Sequence, residues 1–124
     1  NRARSLLYAT ALPPGNLAAA IAALKIIETN VKLTNKPLSL AKRFATILGL
    51  KPPESPIVPI RLGDVERTLK ASKQLKDRGF LVVAIRPPTV PEGTARLRCT
   101  FSASHTETQV DLFAKAVKKV LADQ

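Results

Sequence analysis

The sequence predicts an α+β fold, a small and mainly antiparallel sheet with helices packed on one face. Three observations point there. Helical and strand patterns follow one another as helix, helix, strand, helix, strand, strand, helix, without the regular alternation of a parallel α/β sheet. Residues 95–101 alternate, with Ala95, Leu97, Cys99 and Phe101 on one side and Arg96, Arg98 and Thr100 on the other, so one face of that strand is the core side. Apolar residues recur in the helical segments at three- and four-residue spacing, the period of a helix with one buried side. At 124 residues the chain can bury roughly two-thirds of the surface its unfolded form exposes, enough for one core. That core is expected in residues 35–124, with residues 1–34 as a segment leading into it.

Pro13 and Pro14 cannot continue a helix from upstream but can start one, and Leu17 to Val31 reads as helix. Leu17, Ala20, Ile21, Leu24 and Ile27 define its buried side, widened by Ile26 and Val31. Lys36 to Leu48 is a second helix, capped at Asn35 or a later residue and ended by Gly49 and Pro52-Pro53. Pro56 to Leu62 is a short apolar strand in which Pro59 calls for an edge position or a bulge. Asp64 caps a helix from Val65 to Arg78, and Gly79 stops it. Phe80 to Ile85 is apolar throughout, as in a strand covered on both faces. Thr106 and Gln109 form a capping box ahead of a last helix whose stripe is Val110, Phe113, Ala114, Val117 and Leu121.

The chemistry concentrates between the last two strands, in Ile85-Arg86-Pro87-Pro88-Thr89-Val90-Pro91-Glu92-Gly93-Thr94-Ala95. Prolines fix φ near −65° and push the preceding residue into extended conformation, so Arg86 is presented at a fixed place, while Gly93 relieves the return bend. A guanidinium that has little freedom to lose suits a carboxylate or phosphate, to which it can make two parallel charge-assisted bonds. Thr89 adds a hydroxyl nearby.

The other features are blander. Twenty Lys and Arg against nine Asp and Glu give a net charge of +11, yet the positives are scattered and only one Tyr, four Phe and no Trp are present for stacking bases. Nucleic acid is therefore not the expected partner; the charge is either balanced by the rest of a longer chain or attracts an anionic substrate such as a coenzyme A ester. No apolar run reaches the ~20 residues of a membrane span. Cys99 stands alone, without an internal disulfide, which fits a reducing cytoplasm, and no metal site is expected. His105, the single histidine, has no acidic partner at a telling spacing and reads as a structural residue at the junction of strand and helix. Arg96 and Arg98 read as a solvated or ion-paired strand face, and Asp64 and Glu66 as helix-start residues.

Ile85-Arg86-Pro87-Pro88-Thr89-Val90-Pro91 with Gly93-Thr94-Ala95-Arg96-Leu97-Arg98, followed by Ser102-Ala103-Ser104-His105, resembles the C-terminal signature of the α-oxoamine synthases. Tyr8-Ala9-Thr10-Ala11-Leu12-Pro13-Pro14 is similar to the segment that in this family follows the cofactor lysine. The resemblance implies the small C-terminal domain of a fold type I enzyme of pyridoxal 5'-phosphate, joined to a large cofactor domain by the helix at about residues 15–31. Family members condense an amino acid with an acyl thioester and release carbon dioxide. The member most similar in these motifs uses L-alanine and a pimeloyl thioester, and Ile85-Arg86-Pro87-Pro88 favours it over 2-amino-3-ketobutyrate CoA ligase and 5-aminolevulinate synthase.

Carried over residue by residue, the resemblance makes Arg86 the holder of the substrate carboxylate and Thr89 a substrate contact. Thr10 and the backbone of Ala9 would reach the cofactor phosphate of the partner subunit in a homodimer, although Ala9 stands where a hydroxyl or small polar residue is commoner. No lysine precedes Tyr8 in this chain. The chain is therefore expected to contain no catalytic residue, to bind no cofactor by itself, and to need the cofactor domain for activity. A free-standing carboxylate-binding module and a basic interaction domain are the readings open outside the family.

Overall fold

The computed structural model describes residues 12–123. The chain is organised as two compact units, Asn1–Thr34 and Asn35–Gln124.

In the first unit, helix α1 spans Pro14–Thr29, three residues earlier than the apolar spacing suggested, because Pro14 occupies its first position. None of its residues is buried, and Leu17, Ile21, Leu24, Ile26 and Ile27 are all exposed. The expected buried side is thus absent within this unit. The reason lies in the sequence: Ala18 to Ala20, Ala22, Ala23 and the adjacent Ile26 and Ile27 put apolar groups around the whole circumference, a pattern characteristic of helices enclosed by other structure.

Helix α2, Val31–Leu48, starts five residues before Lys36 and runs through Pro37. Asn30 caps it, its Oδ1 accepting the Leu33 N–H at 3.0 Å, so the cap is neither Asn35 nor a later residue. Its core residues are Leu40, Ala41, Phe44 and Ala45. The second unit continues with strand β1 (Ile57–Gly63), helix α3 (Val65–Asp77), strands β2 (Val83–Ile85) and β3 (Ala95–Thr100), and helix α4 (Glu107–Ala122). The strands form an antiparallel sheet in the order β1-β3-β2.

Pro59 sits on an edge strand, where its missing N–H breaks no central ladder, and the register slips between Arg61 and Gly63. Val58 and Ile60 of β1 and Ala95, Leu97 and Cys99 of β3 are buried on one face. Val58, Ile60, Leu97 and Cys99 join residues of α2, α3 and α4 in one core with Leu75, Val82, Phe101, Val110, Ala114 and Val117. Phe44 of α2 stacks on Phe113 of α4 at 4.9 Å between ring centroids, and Phe101 closes against Phe44 at 5.1 Å. In α4 it is Val120 that is fully buried, with Leu121 partly so. The other face of the sheet carries no buried residue among Ile57, Pro59, Arg61, Val83, Arg98 and Thr100.

The segment Phe80 to Ile85 is the main correction. Only Val83–Ile85 is strand, Leu81 is 86% exposed and Val83 44% exposed, so it is not covered on both faces. The backbone there bonds to α3 instead: the Phe80 N–H donates to the Leu75 carbonyl at 2.9 Å, and the Ser72 hydroxyl to the Val82 carbonyl at 2.6 Å. The chain joins the sheet only after that turn is complete.

Candidate functional site

β2 and β3 are joined by the proline loop, so the sheet itself fixes both ends of the segment that holds Arg86. The Thr89 N–H donates to the Arg86 carbonyl at 3.0 Å, closing a four-residue turn that contains the cis Pro87–Pro88 peptide. A second turn follows, with the Thr94 N–H at 3.2 Å and its hydroxyl at 2.6 Å from the Pro91 carbonyl, both donating to it. Gly93 takes φ +71°, a conformation open to glycine at little cost. Its carbonyl lies 3.4 Å from where a Cβ on Gly63 would stand, and Gly63 itself has φ +82°. The end of β1 and the loop therefore meet backbone to backbone, close enough that a Cβ on Gly63 would touch the loop.

On this frame Arg86 is exposed, and its side chain makes no hydrogen bond or ion pair among the described residues. Its turn fixes the backbone on both sides of it, and its guanidinium fork is left available. Thr89 is exposed beside it, its N–H engaged in the turn and its hydroxyl without a partner among the described residues. The structure thus brings Arg86 and Thr89 to the two ends of one closed turn. Thr10 and Ala9 lie outside the described residues.

Arg96 and Arg98 project from β3 on the face away from the core, but neither forms an ion pair among the described residues. Arg96 donates from Nε to the Thr94 carbonyl at 2.9 Å, which braces the loop's return. Arg61 of β1 stands directly opposite Arg96 in register. Its part in this face was missed in the sequence, where Arg61 is only a residue near the end of the short apolar strand Pro56 to Leu62. His105 accepts the Ser102 N–H on Nδ1 at 3.1 Å and meets Phe101 edge-on, the structural setting that its lack of an acidic partner suggested. Burial pushes the Cys99 thiol up to about 12, so it is an inert member of the core. Asp64 caps α3 by accepting the Arg67 N–H at 2.7 Å.

Elsewhere, a cavity of about 300 Å³ opens between Leu81, Cys99, Phe101, His105 and Phe113. Among the described residues no group of three His, Cys, Asp or Glu could hold a metal ion, and no helix is long and apolar enough to cross a membrane. What the β2–β3 turn can do chemically is narrow: bind an anion through the planar N–H donors of one exposed guanidinium carried on a backbone that the turn holds.

Comparison with known proteins bears on what that anion is. The family described as "Aminotransferase class I and II" matches residues 1–117. An 8-amino-7-oxononanoate synthase of Maricaulis maris is 54% identical over 120 residues, covering 97% of this chain and 31% of that protein. Another from Methylorubrum extorquens is 56% identical over 117 residues, 94% of this chain and 30% of that protein. A solved structure of SPT with PLP internal aldimine superposes with a TM-score of 0.79 at 29% identity, covering 91% of this chain and 31% of that one. The chain spans about a third of the length of the curated relatives it matches.

Proposed function

The chain belongs to the class I and II aminotransferase family, and from that premise we propose that it is the C-terminal part of an 8-amino-7-oxononanoate synthase. The complete enzyme would join L-alanine to a pimeloyl thioester with loss of carbon dioxide, a step in making biotin. The observation that carries this reading is the Arg86 turn, which offers an unpartnered guanidinium on a fixed backbone in the very motif where the resemblance is strongest.

Pyridoxal phosphate, when bound by the complete enzyme, supplies the electron sink that such a condensation needs. The donors of this chain fit anionic groups and not the cofactor ring. Arg86 binds the alanine carboxylate through two parallel N–H bonds, which fixes the rotation about the bond between Cα and its amino nitrogen and so selects which Cα bond is aligned to break. The Thr89 hydroxyl contacts the substrate from the far end of the same turn. Thr10 and the Ala9 N–H serve the phosphate of the cofactor in the partner subunit of a homodimer. The lysine that holds the ring belongs to the part of the enzyme that precedes Tyr8.

The two-unit organisation is read in the same terms. Residues 1–34 lead from the cofactor domain, and α1 is the connecting helix; its apolar circumference, unburied within its own unit, supports that role. Residues 35–124 are the small domain. A cytoplasmic enzyme is in keeping with the single unpaired Cys99.

The test is a turnover assay on the complete protein with pyridoxal phosphate, alanine and pimeloyl-coenzyme A. Alanine-dependent release of carbon dioxide with formation of 8-amino-7-oxononanoate is expected. Turnover of glycine in place of alanine would instead indicate 2-amino-3-ketobutyrate CoA ligase or 5-aminolevulinate synthase activity.

A further inference from the structure

The outer face of the sheet has a composition that the fold does not explain. Arg61, Arg96 and Ile85 form one row across the three strands, and Pro59, Arg98 and Val83 form the next. Three of these six side chains are cationic, and no Asp or Glu lies among the β1, β2 and β3 residues. Arg61 and Arg96 face each other directly in an antiparallel pair, a placement that brings like charges to within about 5 Å at Cβ and destabilises the sheet. Arg98 is two residues along β3, about 7 Å farther by strand geometry. No carboxylate pairs with any of the three among the described residues, whereas Arg43 and Arg78 of the same unit both have one. The Arg96 and Ile85 row is also the end of the sheet from which Arg86 and its turn depart.

Resting on the reading above that the second substrate is an acyl thioester, we infer that Arg61, Arg96 and Arg98 bind the phosphate groups of its coenzyme A portion. A ligand carrying a diphosphate and a separate phosphate offsets several cations at once, which a single carboxylate cannot do. Arginine is suited to this because its fork meets phosphate oxygens bidentately. Arg96, already anchored through Nε to the Thr94 carbonyl, keeps its terminal nitrogens for the ligand. The face thus takes the remote end of one substrate while the adjoining turn holds the carboxylate of the other.

The experiment compares two thioesters of the same acyl group in the complete enzyme, one on coenzyme A and one on pantetheine, which carries no phosphate. The readout is the ratio of their kcat/KM values. In Arg98→Gln and in Arg61→Gln that ratio should fall by roughly tenfold, the change that about 1.4 kcal/mol represents. Lys118→Gln, which removes one charge from the exposed side of α4, should leave it as it was. The thermal midpoint of Arg61→Gln should hold or rise, because the substitution relieves the opposition to Arg96. A ratio within twofold of the unaltered enzyme's in both arginine variants overturns the inference. Failure of the unaltered enzyme to turn over either thioester with alanine overturns the reading on which it rests.

Discussion

Arg43 and Arg86 are both exposed arginines of the same unit, and they differ in what their donors meet. Arg43 on α2 reaches across to α4, giving Nε and Nη2 to the two carboxylate oxygens of Asp111 at 2.6 and 2.7 Å, and Nη1 to Glu107 at 2.8 Å. Arg86 has its backbone carbonyl closed in a turn, but its side chain gives its donors to nothing among the described residues. The difference separates a cation that the fold neutralises from one that it leaves available, the one proposed for recognition. At the α2–α4 seam the fold supplies the anion itself, so the pair fastens two helices. At the β2–β3 turn the fold supplies no anion among the described residues, as the proposed carboxylate site requires.

That contrast can be broken from the structural side first. Phe44, one residue beyond Arg43, is fully buried and stacks on Phe113. Phe44→Ala should cost about 3–5 kcal/mol in denaturant unfolding, the largest effect expected. A cost under about 1 kcal/mol, the range of surface changes, would mean that the seam is not part of the core.

Next is the frame of the turn. Gly63→Ala puts a Cβ on a residue at φ +82° and 3.4 Å from the Gly93 carbonyl, and should cost about 1–2 kcal/mol. If the frame matters to the carboxylate site, the same substitution should also raise the KM for alanine. A loss of stability with an unchanged KM would show that the turn keeps its shape without β1.

The smallest effect belongs to the surface pair. The hydrogen bonds from Arg43 hold the Asp111 carboxyl below the usual carboxylate range. A carboxyl with a depressed folded-state pKa contributes stability above its unfolded pKa, and that contribution disappears as pH falls through the folded value. Asp111→Asn should therefore lower the thermal midpoint at pH 6, and the difference from the unaltered protein should shrink as pH drops below roughly 4. A difference independent of pH would mean that the pair is held by packing and not by charge.

Much of this was legible in the residues because it is local. The alternation over 95–101 announces a half-buried strand, since cross-sheet burial has period two. The Thr106 and Gln109 capping box and the Asp64 cap are likewise signals within four residues, and all three occur. What the sequence misplaces depends on which hydrogen-bond partner wins, a choice that composition does not encode, and in some cases that partner lies far along the chain. Phe80 to Val82 reads as strand by composition, but its backbone bonds go to Leu75 and Ser72. Asn35-Lys36-Pro37 imitates a helix start, and the actual cap, Asn30, lies just past the end of the preceding helix. Arg43 finds Asp111 68 residues away, and the opposition of Arg61 to Arg96 exists only once β1 and β3 are in register. The turn at Arg86 could be recognised as rigid from its prolines. That its guanidinium is left unpartnered is a property of the folded surface.

The most direct measurement is kcat/KM for alanine in the complete enzyme carrying Arg86→Ala, with Arg86→Lys alongside. Loss of charge-assisted bonds worth about 1.5–3 kcal/mol predicts a fall of roughly ten- to a hundredfold. Lysine, a point charge without the planar fork, should restore only part of it. The KM for the thioester and the thermal midpoint should barely move. An alanine kcat/KM within twofold of the unaltered enzyme's would contradict the assignment of Arg86 to the carboxylate.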